Sequence, residues 1–306
     1  MSEAPARPSG YRSAFRPGLF EGRVVVVTGG GSGIGRCTAH ELGALGARVA
    51  LVGRNAEKLA AVAGELAEEG IGASTHVCDI RREDGVRDTV AAIRAQHGRI
   101  DGLVNNAGGQ YITPLEKISL KGWEAVVATN LTGGFLMARE CYLQHMQQHG
   151  GAIVNIVADF WGSMPGMGHS GAARAGMVSF TETAAIEWAA AGVRVNAVAP
   201  GYIASSGMDH YPPEAAPMLR KSIQAVPLGR MGNEAETSAA IVFLLSAAAS
   251  FISGVVLRVD GARPQGRIGQ MPPFGAAFAP PRVGEPPDAV RPFDGFHRYQ
   301  TPRVLR

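Results

Sequence analysis

Disulfide chemistry has little to work with in this chain. Cysteine occurs three times in 306 residues, as Cys37, Cys78 and Cys141, without a pairing pattern, which excludes a disulfide framework and suits a reducing compartment. Long apolar runs are lacking too. No stretch reaches the length that spans a bilayer, and Pro5, Arg7, Pro8, Arg12 and Arg16 interrupt the amino terminus where a signal peptide would need continuous apolar residues. A basic body is missing: the net charge of +3 is concentrated after Ala262, where seven arginines face Glu285, Asp288 and Asp294. No nucleic-acid or membrane partner is therefore expected. Cys141, His145 and His149 fall at i, i+4, i+8, a spacing that could hold a metal, but the segment reads as the exposed end of an amphipathic helix before Gly150-Gly151, and no metal is expected.

What the chain has in abundance is glycine, 41 residues of it, and one cluster organises the rest. Thr28-Gly29-Gly30-Gly31-Ser32-Gly33-Ile34-Gly35 lies between the β-branched run Val24 to Val27, a buried parallel strand by its continuity, and the helical-looking Arg36 to Leu45. Glycines at such a junction let a phosphate approach the main chain, where the following helix offers unpaired N–H groups and the positive end of its dipole. A second strand, Arg48 to Gly53, follows after one helix length, completing the β-α-β unit that a dinucleotide site requires.

Strands and helices continue to alternate. Asn55 to Glu69, Asp84 to Gln96, Lys121 to His149 (one long helix or a broken pair), Ser170 to Ala191 and Glu234 to Ala249 read as helices; Ser74 to Cys78, Ile100 to Val104, Gly151 to Val157, Val193 to Val198 and Val255 to Gly261 read as strands. The pattern predicts an α/β fold, a single doubly wound and mostly parallel seven-stranded sheet with helices on both faces. Residues 1–19 form an amino-terminal arm and 20–261 the dinucleotide-binding domain. Within that domain, 202–230 is irregular and proline-bearing like a mobile lid; after it, 262–306 is a Pro/Arg-rich tail whose aromatics Phe274, Phe278, Phe293, Phe296 and Tyr299 favour docking on a surface.

From Leu19 to Gly261 the chain resembles the short-chain dehydrogenase/reductase family through Thr28 to Gly35, Asp79, Asn105-Asn106-Ala107-Gly108, Asn130, Pro200-Gly201 and Val259-Asp260-Gly261. Within it, Gly109-Gln110, Lys121-Gly122-Trp123, His169 to Gly176 and Ala248 to Ile252 are most similar to the peroxisomal trans-2-enoyl-CoA reductases and the related 2,4-dienoyl-CoA reductases. The resemblance implies a Rossmann domain in which Thr28, Gly29, Gly31, Ser32, Gly33, Ile34 and Gly35 cradle the pyrophosphate. It places Asp79 and Ile80 at the adenine, Asn105, Ala107 and Gly108 at the adenosine ribose, and Pro200, Gly201 and Ile203 along the nicotinamide. It also implies a homo-oligomer, tetramer or dimer. Val304-Leu305-Arg306 carries no peroxisomal address, so the expected compartment is the cytoplasm.

Cofactor choice follows from charge. An NAD site places a carboxylate at the end of the second strand, whereas a 2′-phosphate needs a cation. Here Gly53 is followed by Arg54, with Arg36 beyond the glycine turn and no acid at the tip, so NADP(H) is preferred over NAD(H).

The departure from the family decides the chemistry. Most members use a Ser, a Tyr-x-x-x-Lys and an Asn; this chain keeps Asn130, but Ser170 stands where the Tyr would be and Arg174 where the Lys would be. Neither an aliphatic hydroxyl nor a guanidinium exchanges a proton with an alkoxide near neutrality. Hydride addition to the β-carbon of a 2-enoyl thioester instead needs fixed donors at the thioester oxygen. Arg174 would hold the nicotinamide ribose and add positive potential, and Ser170 or a water would steady the enolate. Asp159, Tyr202 and His169 are further candidates for the proton, although a loop carboxylate, a packing aromatic and a structural histidine are the plainer roles. Trp161, Met164, Met167 and Met208 suggest an apolar acyl pocket, and Arg220, Lys221 and Arg230 a charged lid. The substrate is thus a small acyl thioester or carbonyl compound. Two alternatives stay open: a dehydrogenase of a branched or terpenoid alcohol or aldehyde, and a non-catalytic NADP-binding protein.

Overall fold

A computed structural model of the chain describes residues 15–211, 213–224 and 226–263. The strands are β1 (Val24–Thr28), β2 (Arg48–Gly53), β3 (Ala73–Val77), β4 (Gly102–Asn105), β5 (Gly151–Ile156), β6 (Val193–Pro200), β7 (Ile203–Ala204), β8 (Gly232–Asn233) and β9 (Val256–Val259). Seven of them form one sheet in the order β3-β2-β1-β4-β5-β6-β9, every pair parallel, while β7 and β8 make a small separate ribbon. The helices are α1 (Gly33–Ala44), α2 (Ala56–Glu68), α3 (Glu83–His97), α4 (Leu120–Val127), α5 (Gly133–Cys141), α6 (Gln147–His149), α7 (Gly168–Glu187), α8 (Ala216–Gln224) and α9 (Glu234–Leu245).

Side-chain alternation along the strands builds a core on each face. Val25 and Val27 point to a cluster with Leu42 of α1, Leu45 just after it, Leu59 and Leu66 of α2 and Ile241 and Leu244 of α9. Val26 of the same strand points the other way, to Val90 of α3, Met137 of α5 and Ala184 of α7. Buried on both faces, the central strands β1 and β4 are fully enclosed, and β1 carries the continuous apolar run that parallel sheets require, whereas the edge strands β3 and β9 are only partly covered. Sheet order reverses between β1 and β4, which opens a crevice at their carboxyl ends, the place where open α/β sheets hold ligands.

Of the two expectations for Lys121–His149, the structure has the broken helix, interrupted by π-helical turns at Ala128–Thr132 and Tyr142–Met146. Two other expectations are corrected. Cys141 is not on an exposed helix end: it lies in the core, and burial pushes its thiol up to about 12. Residues 202–230 are more regular than an irregular lid, since they hold β7, two 3-10 turns and α8. Phe15 and Leu19 at the end of the amino-terminal arm pack on the core. Residues 1–14, and the tail from 264 with its expected docking, lie outside the described residues.

Candidate active site

The glycine turn is built for a close approach. Gly33 opens α1 at φ +55°, a conformation that side chains with a Cβ rarely adopt, and a Cβ on Gly35 would lie 2.4 Å from the Gly29 carbonyl oxygen. The exposed N-cap Ser32 makes no side-chain capping bond, and the first turn of α1 holds no acid. The N-terminal N–H groups of α1 therefore receive no capping bond from Ser32 and no acid from their own first turn, which fits the pyrophosphate of a dinucleotide. Thr28 shapes the crevice from below. Its buried Oγ1 donates to Val104 O (3.2 Å) and accepts from the N–H groups of Asn106 (2.9 Å) and Ala107 (3.0 Å), tying β1 to the Asn105–Gly109 turn. Gly29, Gly31, Ile34 and Ala107 border the same crevice, half-buried.

Other expected cofactor residues are placed differently. The Asn105 amide turns inward, donating to Gly134 O and Asn155 Oδ1 (both 2.9 Å), so only its main chain faces the crevice side of the turn. Asp79 is clamped by Arg81, with 2.6 Å between Arg81 Nη2 and Asp79 Oδ2, and that bond is the main cause of a pKa lowered to about 2. Ile80 is buried against Gly133. Arg36 is not an unoccupied phosphate ligand, because its Nε donates to Glu65 at 2.7 Å. Arg54 remains exposed at the tip of β2, near enough to Asp79 to help lower its pKa. At the other end of the crevice, Pro200 closes β6 and Ile203 is buried in β7. Gly201 lies so close to Asp260 that a Cβ would meet its Cα at 2.7 Å.

Asn130, Ser170 and Arg174 come together around the Gly108-Gly109-Gln110 turn. Asn130, presented by the first π-helical turn, donates to Gly109 O (2.7 Å) and accepts from Gly109 N (3.0 Å). Arg174 reaches from α7 to the Ile156 carbonyl at the end of β5. A Cβ on Gly108 would lie 2.5 Å from Arg174 Nη2 and 2.7 Å from Asn130 Oδ1, so only glycine leaves room for this guanidinium. Arg174 Nε is shut off from solvent without a partner among the described residues, and burial lowers the pKa to about 10, leaving the group charged at neutral pH. Ser170 is wholly buried and its Oγ donates to Gln110 Oε1 at 2.6 Å; Gln110 Nε2 in turn donates to the Tyr211 hydroxyl at 2.8 Å. His169 accepts from the Ser170 N–H and meets the Tyr111 ring edge-on at 4.5 Å, a structural position.

Asp159 and Tyr202 form a second group. Asp159 Oδ2 pairs with Arg263 at 2.6 Å, and the Arg263 guanidinium lies 5.1 Å over the Tyr202 ring. Asp159 is therefore held in an ion pair and offers the site no proton. Among the apolar residues, Met208 is buried with Ala215 and Leu219 against Ile112, Tyr202 and Tyr211, while Trp161 stacks on Phe160 and stays exposed. Sequence reasoning missed Tyr211 and Arg263, and gave Gln110 no role; Tyr211 is 101 residues from Gln110 and Arg263 is 104 from Asp159, so no local spacing signals either contact.

This sheet and its glycine turn define a dinucleotide-binding oxidoreductase. Residues 29–262 match the family model described as Enoyl-(Acyl carrier protein) reductase, and the chain belongs to the short-chain dehydrogenase/reductase family. It is similar to the "Probable 2,4-dienoyl-CoA reductase [(2E)-enoyl-CoA-producing]" of Bacillus subtilis (strain 168), 36% identical over 79% of this chain and 96% of that protein. It is also similar to the gluconate 5-dehydrogenase of Gluconobacter oxydans (strain 621H), 39% identical over 80% of this chain and 96% of that one. Among solved structures, the citronellol catabolism dehydrogenase (AtuB) of Pseudomonas aeruginosa PAO1 is 59% identical, with a TM-score of 0.76 over 83% of this chain and 100% of that one. Among the described residues, no helix is long and apolar enough to cross a membrane.

Proposed function

We propose that the protein is an NADP(H)-dependent reductase of a 2-enoyl thioester. The observation that carries this reading is the pairing on α7 of a hydroxyl and an enclosed guanidinium, Ser170 and Arg174, where the family's alcohol chemistry needs a phenol and an amine. Making or consuming an alcohol near neutrality requires a group that trades a proton with an alkoxide, and neither side chain does so. Bound NADPH would supply hydride for the β-carbon. The chain's own task is then to stabilise negative charge on the thioester oxygen, and a positive group held in place by the Ile156 carbonyl beside Asn130 suits it. The α-carbon takes its proton from water. Arg54, exposed at the tip of β2 with no acid beside it in sequence, favours NADP(H) over NAD(H). The reading extends to a cytoplasmic homo-oligomer, tetramer or dimer, supported by Leu120, Phe135 and Ile186 exposed on α4, α5 and α7.

A second reading, a dehydrogenase of a branched terpenoid alcohol or aldehyde, is favoured by the 59% identity to the citronellol catabolism dehydrogenase. Steady-state assays separate the two. Oxidation of NADPH with crotonyl-CoA or a 2,4-dienoyl-CoA is expected, with no NADP⁺ reduction by citronellol; the reverse outcome replaces the first reading with the second.

A further inference from the structure

Ser170, Gln110 and Tyr211 form a chain of three side chains from three separate parts of the molecule: α7, the turn after β4, and the segment that ends a 3-10 turn at 206–210. A neutral amide has one donor end and one acceptor end. Bridging two hydroxyls, it must take the proton of one and leave the other with a proton to give. Here Gln110 Oε1 receives the Ser170 proton, and Gln110 Nε2 donates to the Tyr211 oxygen. Among the described residues, the phenolic O–H then has only the Met167 sulfur, 4.0 Å away and a weak acceptor, within reach. Exposure points the same way, because Ser170 has no solvent-accessible surface whereas Tyr211 is half-buried. The surroundings of Tyr211 are apolar, with Ile112, Met208, Ala215, Leu219 and Met231 in one cluster, as an acyl chain would require.

We infer that Tyr211, carried by the segment between β6 and α8, is the hydrogen-bond donor to the substrate's carbonyl oxygen, and that Ser170 acts behind it by fixing the orientation of the Gln110 amide. A phenol thus returns to a site that lacks one on α7, supplied from the opposite wall. The inference rests on the enoyl-thioester reading for its chemistry. With NADPH as reductant, hydride bonds to the β-carbon and the C=C electron pair shifts to leave negative charge on the thioester oxygen. The Tyr211 O–H bonds to that oxygen without transferring its proton. Solvent then protonates the α-carbon and the carbonyl re-forms as NADP⁺ is released. Burial keeps the phenol pKa above its ordinary value, so the donor stays protonated at neutral pH, although the Gln110 bond pulls the other way.

The test compares Tyr211→Phe, Ser170→Ala and Gln110→Glu in the full-length protein. Each is measured for turnover of crotonyl-CoA, for NADPH affinity by fluorescence and for melting temperature. Tyr211→Phe is expected to lower kcat about 10- to 100-fold, with NADPH affinity and melting temperature unchanged, in line with the loss of one oxyanion donor. Gln110→Glu, which turns the donor end into an acceptor and captures both protons, is expected to lose kcat to a similar degree. Ser170→Ala is expected to lose less than either. A larger loss in Ser170→Ala than in Tyr211→Phe, or a Tyr211→Phe enzyme with more than half its kcat, overturns the inference. Wild-type inactivity on unsaturated thioesters with turnover of an alcohol sinks only the thioester reading, and the same ranking is then read on that alcohol; no turnover of any kind overturns both.

Discussion

Replacing Arg174 by methionine should make the protein inactive and, at the same time, no less stable. The side chain keeps the length of the aliphatic stem, but the guanidinium and its charge are gone. In the native site, burial alone lowers the guanidinium pKa from 12.5 to about 10. That difference corresponds to about 3 kcal/mol of desolvation cost, an upper bound because part of the residue still meets solvent. Against this relief stands the Ile156 carbonyl, which loses its guanidinium donor at a cost of about 1–3 kcal/mol. The net change lies between neutral and about 2 kcal/mol stabilising, or up to roughly 8 °C in melting temperature for a domain of this size. Activity should move the other way, with kcat/KM down about 10²- to 10³-fold through loss of the fixed positive charge. Thermal melts without cofactor, alongside NADPH oxidation with crotonyl-CoA, give both numbers. A fall of more than about 4 °C would refute the reasoning, because removing an ion from a well-compensated pair is what costs 3–5 kcal/mol.

Arg54→Ala should raise the KM for NADPH severalfold and leave kcat and the KM for NADH nearly unchanged, as steady-state kinetics with both cofactors will show; equal effects on the two would remove Arg54 from the 2′-phosphate. Glu234, at the start of α9 and 3.6 Å from where a Gly33 Cβ would stand, has a pKa raised by burial from 4.5 to about 7. A carboxyl raised in the folded state favours folding fully below pH 4.5 and loses that contribution as pH climbs to about 7, some 3 kcal/mol in all. Glu234→Gln should therefore flatten the fall in melting temperature between pH 5 and 8, and an unaltered slope would count against it. Thr28→Val removes an acceptor shared by two N–H groups and should cost about 2–4 kcal/mol in chemical denaturation.

The sheet was legible because buried parallel strands leave a mark: Val24 to Val27 is unbroken, and Val193 to Val198 keeps β-branched valines at 193, 195 and 198 around Arg194 and Asn196. The phosphate turn was legible because its glycines answer steric demands that appear directly as residue type. The π-helical turns left no such sign, since shifting the hydrogen bonds by one residue changes neither composition nor capping. Cys141 was misplaced for that reason, because the turns around it rotate the helix face relative to a regular 3.6-residue repeat. Helix α8 was hidden by the prolines that flank it. The Ser170–Gln110–Tyr211 chain and the Asp159–Arg263 pair depend on contacts between distant parts of the sequence, and only the assembled sheet brings them into range.

Arg263 lies beyond the last strand, yet its guanidinium closes one side of the space next to Tyr202. During synthesis the phosphate-binding half, from Val24 to Asn105, leaves the ribosome long before that arginine exists. The wall facing the substrate is thus the last part of the domain to be made, and reactivity arrives only as the final strand and the residues just after it dock.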